Sequence, residues 1–214
     1  MDVDEKCVWI GIGMDIKDKE LYEECKKINK KLVKEYGSSI IFSKNNMPHL
    51  NLYDLSVPKK NLPEIVKRLK KIALNRESFD VDITGINYFP FGLFFIELKI
   101  NNFLYELHKL IVNEITQLKG NGICEDYLEP VRKYNPNQKE MLKNHGNPFV
   151  LSEFKPHITL GLIKENNLDY VKKELTPLFT KRKFTVDNIH IVVEDENRIK
   201  VIGKLFLSAY FLHS

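Results

Sequence analysis

Two five-residue stretches carry side chains with chemical potential: Pro48-His49-Leu50-Asn51-Leu52 and Pro156-His157-Ile158-Thr159-Leu160. Each reads Pro-His-aliphatic-polar-Leu, and each opens a run of strand-forming residues. Imidazole can take or give a proton near neutral pH. Breaking a phosphodiester by proton transfer needs both acts, one group taking a proton from the attacking oxygen and another giving one to the leaving oxygen. A hydroxyl or carboxamide two residues along reaches the same strand face and can donate to non-bridging phosphate oxygens as charge builds on them. With six histidines in the chain, either motif alone carries little weight; the matched pair is the signal.

The elements around these motifs must bring them together. Strand alternation puts His49, Asn51 and Tyr53 on one face and Leu50 and Leu52 on the other, and likewise His157, Thr159 and Gly161 opposite Ile158, Leu160 and Leu162. On this reading Tyr53 is a candidate substrate-binding residue that stacks on a base, with core or rim packing an equal alternative. Proline at the first position of each strand is tolerated because that residue need not donate to the ladder. After each histidine strand comes an amphipathic helix, about Lys59 to Asn75 and about Asn167 to Phe179. A pair of strands then follows: Phe79 to Tyr88 and Gly92 to Ile100 in the first case, Phe184 to Glu194 and Ile199 to Ala209 in the second. The arrangement is a weak internal duplication and predicts two α/β lobes facing one another, with the polar faces of the histidine strands lining the groove between them.

Three further elements precede or separate the repeats. Cys7 to Met14 reads as a strand, followed by a helix capped by Asp18 and ended by Gly37, then a short strand around Ser39 to Phe42. A third helix is expected from Phe103 to Leu118, capped by Asn101 or Asn102. Residues 119–152 hold scattered Gly and Pro without a sustained period and read as an irregular insert or lid. Arg132, Lys133 and Tyr134 lie there and could close over a phosphate, though a solvated loop is the simpler reading. The lysine-rich face of the helix at 59–75 is read as solvated. Phe89 and Phe91, flanking Pro90 in a hairpin connection, form either core or a stacking wall. His108, His145, His190 and His213 are read as structural or exposed, and Lys155 as facing water.

Composition sets the outer bounds. The 214 residues suit one domain, and 43% hydrophobic with 29% charged residues is an ordinary globular balance. The net charge of +4 permits an anionic ligand without announcing a nucleic-acid binder. Three dispersed cysteines give no Cys-x-x-Cys pair, and no His-Glu-x-x-His or close acidic cluster marks a metal site, so neither a metal nor another cofactor is expected. The amino terminus is acidic and the first apolar run is too short for a bilayer, which predicts a cytoplasmic protein without a membrane partner.

The two motifs resemble those of the two-histidine (2H) phosphoesterase superfamily, which includes the RNA 2′,3′-cyclic phosphodiesterases also called 2′-5′ RNA ligases. The family's His-x-Thr/Ser pairs fall on His49 with Asn51 and on His157 with Thr159, and Asn51 stands where the family has Thr or Ser. The resemblance implies an α+β fold of two pseudo-symmetric α/β lobes with antiparallel sheets around a central cleft, forming a single bilobal domain. It also implies that His49 and His157 are catalytic, that Asn51 and Thr159 bind substrate, and that no metal is required. The expected partner is RNA, an oligonucleotide or a cyclic nucleotide, and the expected state a monomer. A non-catalytic nucleotide- or RNA-binding protein that keeps the cleft is the alternative.

Overall fold

In the computed structural model, the described residues are 6–43, 46–120, 123, 127, 134–164, 167–195 and 198–208. The chain begins with β1 (Cys7–Asp15), whose middle is buried on both faces, which is why its apolar run is continuous rather than alternating. Helix α1 (Lys19–Tyr36) starts where Asp18 accepts the Leu21 N–H, and ends at Gly37, whose φ of 63° lets its N–H turn back to the Leu32 carbonyl. The strand expected at Ser39 to Phe42 does not form. Only Ser39 N–H reaches a strand carbonyl, that of Leu162, while the Asn29 side chain of α1 takes up the Ile40 carbonyl and the Phe42 N–H.

The first repeat contains β2 (His49–Pro58), a single 3-10 turn at Lys59–Asn61, α2 (Leu62–Leu74), β3 (Phe79–Tyr88) and β4 (Leu93–Leu98). Next comes α3 (Asn102–Thr116), capped by Asn101 through its bond from Leu104 N–H. The region expected to be wholly irregular holds a helix, α4 (Pro136–His145), started by a reciprocal capping box between Asn135 and Gln138 and closed by Gly146. It buries only Leu142, so it offers no apolar stripe for periodicity to find. The second repeat then runs through β5 (His157–Leu162), α5 (Leu168–Leu175), β6 (Lys183–Val186), β7 (Asn188–Asp195) and β8 (Arg198–Phe206).

The eight strands among the described residues join one antiparallel sheet in the order β6-β3-β4-β5-β2-β1-β7-β8. It divides into two four-stranded halves, because β2 and β5 share only the registered pair Leu50–Ile158, whereas every other neighbour has a longer ladder. These halves are the two lobes, and the repeats exchange strands to make them. The strands that follow the first histidine, β3 and β4, pair toward the second histidine's strand β5. Those that follow the second, β7 and β8, complete the sheet of β1 and β2.

The continuous strand expected from Phe184 to Glu194 is two strands separated by Asp187, and they go to opposite lobes: β6 pairs with β3, β7 with β1. The curled sheet brings its ends together again where Glu77 bridges Ser208. Helices α1, α3, α2 and α5 pack against β5, β2, β7 with β8, and β3 respectively, and the apolar core includes Leu32, Leu50, Leu107, Ile158 and Val171.

Candidate active site

The pair Leu50–Ile158 fixes how the two motifs meet. Both residues are fully buried, so their strand neighbours present the opposite face to the cleft. Antiparallel counting from that pair sets His49 level with Thr159 and Asn51 level with His157. Each histidine therefore lies beside the polar residue of the other motif, related by a local twofold axis through the pair.

Both histidines are held in the same way. His49 Nδ1 lies 2.8 Å from the Met47 carbonyl and His157 Nδ1 lies 2.7 Å from the Lys155 carbonyl, each two residues back along the chain. A carbonyl only accepts, so Nδ1 carries the proton in both rings and Nε2 is left for chemistry. Desolvation in the concave face pushes the pKa of each below the ordinary imidazole value, opposed by these carbonyl bonds. The charges of His190 and, less, of His157 lower His49 further, and the Asp15 carboxylate opposes them.

Alternation along the histidine strands stops just past each polar residue. In β2 the ladder to β1 skips Leu52, Gly13 pairing with Asn51 and Ile12 with Tyr53; in β5 the ladder to β4 skips Leu160, Phe95 pairing with Thr159 and Phe94 with Gly161. These are matching β-bulges, one in each motif. Beyond them the faces exchange. Tyr53, expected beside His49, is instead buried, with its hydroxyl donating to the His145 carbonyl and lying 3.1 Å from Thr116 Oγ1. Gly161, expected beside His157, faces Leu32 and Ser38 of the α1 side. Leu52 and Asp54 take the cleft positions in their place.

A cavity of about 370 Å³ opens beside His157. Its floor includes Asn51, Leu52 and Asp54, and its walls are aromatic: Phe89 and Phe91 on one side, Tyr127, Phe149 and Phe154 among the others. Phe89 and Phe91 are stacked with centroids 5.6 Å apart, and Phe91 is 67% exposed, so its ring is open to a flat ligand. Asp54 accepts from the Tyr127 hydroxyl and from the Asn147 amide. The Lys155 side chain also lines this space, and a second recess of about 400 Å³ shares Phe89 and Lys155 with it.

Of the residues singled out in the sequence, His157, Asn51, Phe89, Phe91 and Lys155 line the cavity, His49 and Thr159 stand level with one another beside the Leu50–Ile158 pair, and Tyr53 is turned away. Tyr134 is buried with its ring edge-on to Phe149, and Arg132, Lys133 and His213 lie outside the described residues. Sequence reasoning missed Asp54, Asn147 and Phe149, which reach the cleft through a bulge and the turn after α4. It also passed over His190, which stands edge-on to His49. Among the described residues, no three His, Cys, Asp or Glu side chains are grouped to hold a metal ion.

A curled antiparallel sheet in two lobes, with a histidine strand from each meeting at its centre, defines a two-histidine phosphoesterase fold. The profile of the 2′-5′ RNA ligase superfamily matches residues 30–198, and the chain belongs to that superfamily. Among solved structures, TT0787 of Thermus thermophilus superposes with a TM-score of 0.61 at 17% identity, over 93% of this chain and 97% of that one. E. coli LigT complexed with 3′-AMP superposes with a TM-score of 0.60 at 12% identity, over 95% and 99%. LigT complexed with ATP gives a TM-score of 0.52 at 10% identity, over the same shares. No curated protein is matched on sequence. No described helix is long and apolar enough to cross a membrane.

Proposed function

We propose that the protein is a metal-independent phosphodiesterase acting on RNA ends with 2′,3′-cyclic phosphates, or on 2′-5′-linked or cyclic oligonucleotides. The observation that carries this reading is the matched pair of Nδ1–carbonyl bonds at His49 and His157, which leaves two Nε2 atoms for proton transfer on one face. One neutral Nε2 takes the proton of a water or ribose hydroxyl as its oxygen bonds to phosphorus. The other imidazole, protonated, gives its Nε2 proton to the oxygen that leaves. The Asn51 amide and the Thr159 hydroxyl donate to the non-bridging oxygens, and the aromatic walls receive a base by stacking. That LigT has been solved with 3′-AMP and with ATP supports a nucleotide in a cleft of this shape.

In this reading Tyr127, α4 and the turn after it act as a lid at the cavity, and the protein acts as a cytoplasmic monomer. Incubation with a cyclic-phosphate-ended oligonucleotide in EDTA should give hydrolysis that His49→Ala and His157→Ala each abolish; turnover undiminished in both variants rejects it. A second reading rests on Asn51, the position that departs from Thr or Ser: a binding protein that holds such a nucleotide unchanged. Binding without turnover in the unaltered protein would favour it.

A further inference from the structure

The two candidate catalytic rings have different surroundings. His157 is crowded by aromatic rings, Phe95 at 5.1 Å and Phe89 at 5.6 Å. His49 faces a polar cluster drawn from three other strands. Asp15 of β1 is its ladder partner, and His190 of β7 stands edge-on at 5.7 Å with an interplanar angle of 80°. Asp15 Oδ1 lies 2.9 Å from His190 Nδ1, and the ammonium of Lys204, on β8, closes on Oδ2. Among the described residues, the charges acting on His49 are those of His190 and of His157 from β5, which lower its pKa, and that of the Asp15 carboxylate, which raises it; Lys204 acts on Asp15.

The chain makes room for this cluster. Gly13 is opposite His190 in the ladder, and a Cβ there would meet His190 Cε1 and Nε2 at 3.1 Å and the Leu50 carbonyl at 2.6 Å. His190 is buried, and its bond to Asp15, with that of Lys204, holds the Asp15 carboxyl far below the usual carboxylate range. A buried imidazole–carboxylate pair contributes little net stability once its desolvation is counted, so stability alone is a weak reason for placing one against His49.

Resting on the phosphodiesterase reading, we propose that Asp15 and His190 are positioning residues for His49: the carboxylate favours its protonated form and the His190 ring fixes its plane. His49 is then the group that delivers a proton to the leaving oxygen. His157, in its apolar surroundings, is the one that takes a proton from the attacking oxygen. Lys204 tempers the carboxylate from the solvent side.

The test is an NMR titration of the His49 Cε1–H in the substrate-free protein, assigned by its loss in His49→Asn. Asp15→Asn should lower the His49 midpoint by roughly half a unit or more, and Lys204→Met should raise it. The alkaline limb of the kcat profile should move in the same directions while KM stays nearly constant. His190→Ala should lower kcat by roughly tenfold or more, with His190→Phe recovering much of it by restoring a ring. An unmoved midpoint in both charge variants overturns the proposal, as does wild-type kcat in folded His190→Ala. Should Asp15→Asn not fold, His190→Ala decides alone: a lowered kcat that His190→Phe largely recovers supports the pair, and a wild-type kcat rejects it. The titration needs no substrate, so shifts without turnover would reject only the phosphodiesterase reading, and turnover without shifts only this one.

Discussion

The Nδ1 proton of His108 goes to the carbonyl of Leu52, 2.8 Å away, the residue that bulges out of β2 just past Asn51. Asn29 does the same for Leu160 in β5, its amide donating over 2.7 Å to the carbonyl that the second bulge takes out of the ladder. A bulge frees a backbone group that must be satisfied when buried. Two buried polar side chains, one from α3 and one from α1, meet that need at equivalent places, and so hold both motifs from the helical layer.

His108 makes the first of these bonds sensitive to acid. Its Nε2 accepts the Leu151 N–H at 2.8 Å, so the folded ring is neutral, and burial pushes its pKa down to about 4. The unfolded chain takes a proton near 6.5, so folding stability is complete above that pH and is lost as pH falls from about 6.5 to about 4, by about 3 kcal/mol in all. Urea unfolding at pH 7, 5.5 and 4.5 should show this decline. In His108→Leu the stability at pH 7 should already be lower, by about 1–3 kcal/mol, and the part of the pH slope due to this ring should be gone.

Asn51 offers a donor where it is level with His157. Asn51→Ala should cost roughly 10²- to 10³-fold in kcat with a smaller change in KM, since the donor acts on charge that develops in the transition state. Asn51→Thr, which restores a hydroxyl, should keep turnover within about tenfold of the unaltered protein. Steady-state kinetics on one cyclic-phosphate substrate distinguishes the two, and equal kcat in Asn51→Ala would remove Asn51 from the site.

Burial depresses both histidines below 6.5. Catalysis needs one ring protonated and the other neutral, so kcat/KM should be bell-shaped with macroscopic pKa values belonging to the pair. Because both titrations lie below 6.5, the maximum should fall on the acid side of that value, and activity should decline above it as the donor loses its proton. A profile flat up to pH 8 would contradict this.

Phe91 and Phe149 present open rings on the cavity wall. Stacking on an aromatic side chain is worth about 1–3 kcal/mol per base, so Phe91→Ala or Phe149→Ala should raise KM by roughly tenfold and leave kcat nearly unchanged. Cyclic-phosphate substrates lacking a base should show no such dependence on either ring.

The sequence exposed what depends on local pattern. The Pro-His entries, the cap at Asp18, the stop at Gly37 and the limits of β3 follow from side-chain type and alternation, and the structure has them at those positions. What stayed hidden depends on partners distant in the chain. A bulge has no signature in Asn51-Leu52-Tyr53, because it is the ladder with β1 that skips a residue, and with it went the placement of Tyr53 and Asp54. Nothing in the alternation from Phe184 to Glu194 says that Asp187 separates two lobes, since either side of it suits a half-buried strand. His190 and Asp15 lie 175 residues apart and look like unrelated strand residues until β7 docks on β1.

The exchange of strands between the repeats governs when the site can come into being during synthesis. As the chain leaves the ribosome, β1 and β2 can form only a two-stranded ribbon, which is marginal by itself, and β3 with β4 waits for β5 in the same way. The first lobe closes when residues 188–206 arrive to supply β7 and β8. A nascent chain therefore holds both histidine motifs for some time without a cleft to put them in, and a product terminated before residue 188 would carry both motifs without the lobe that anchors His49.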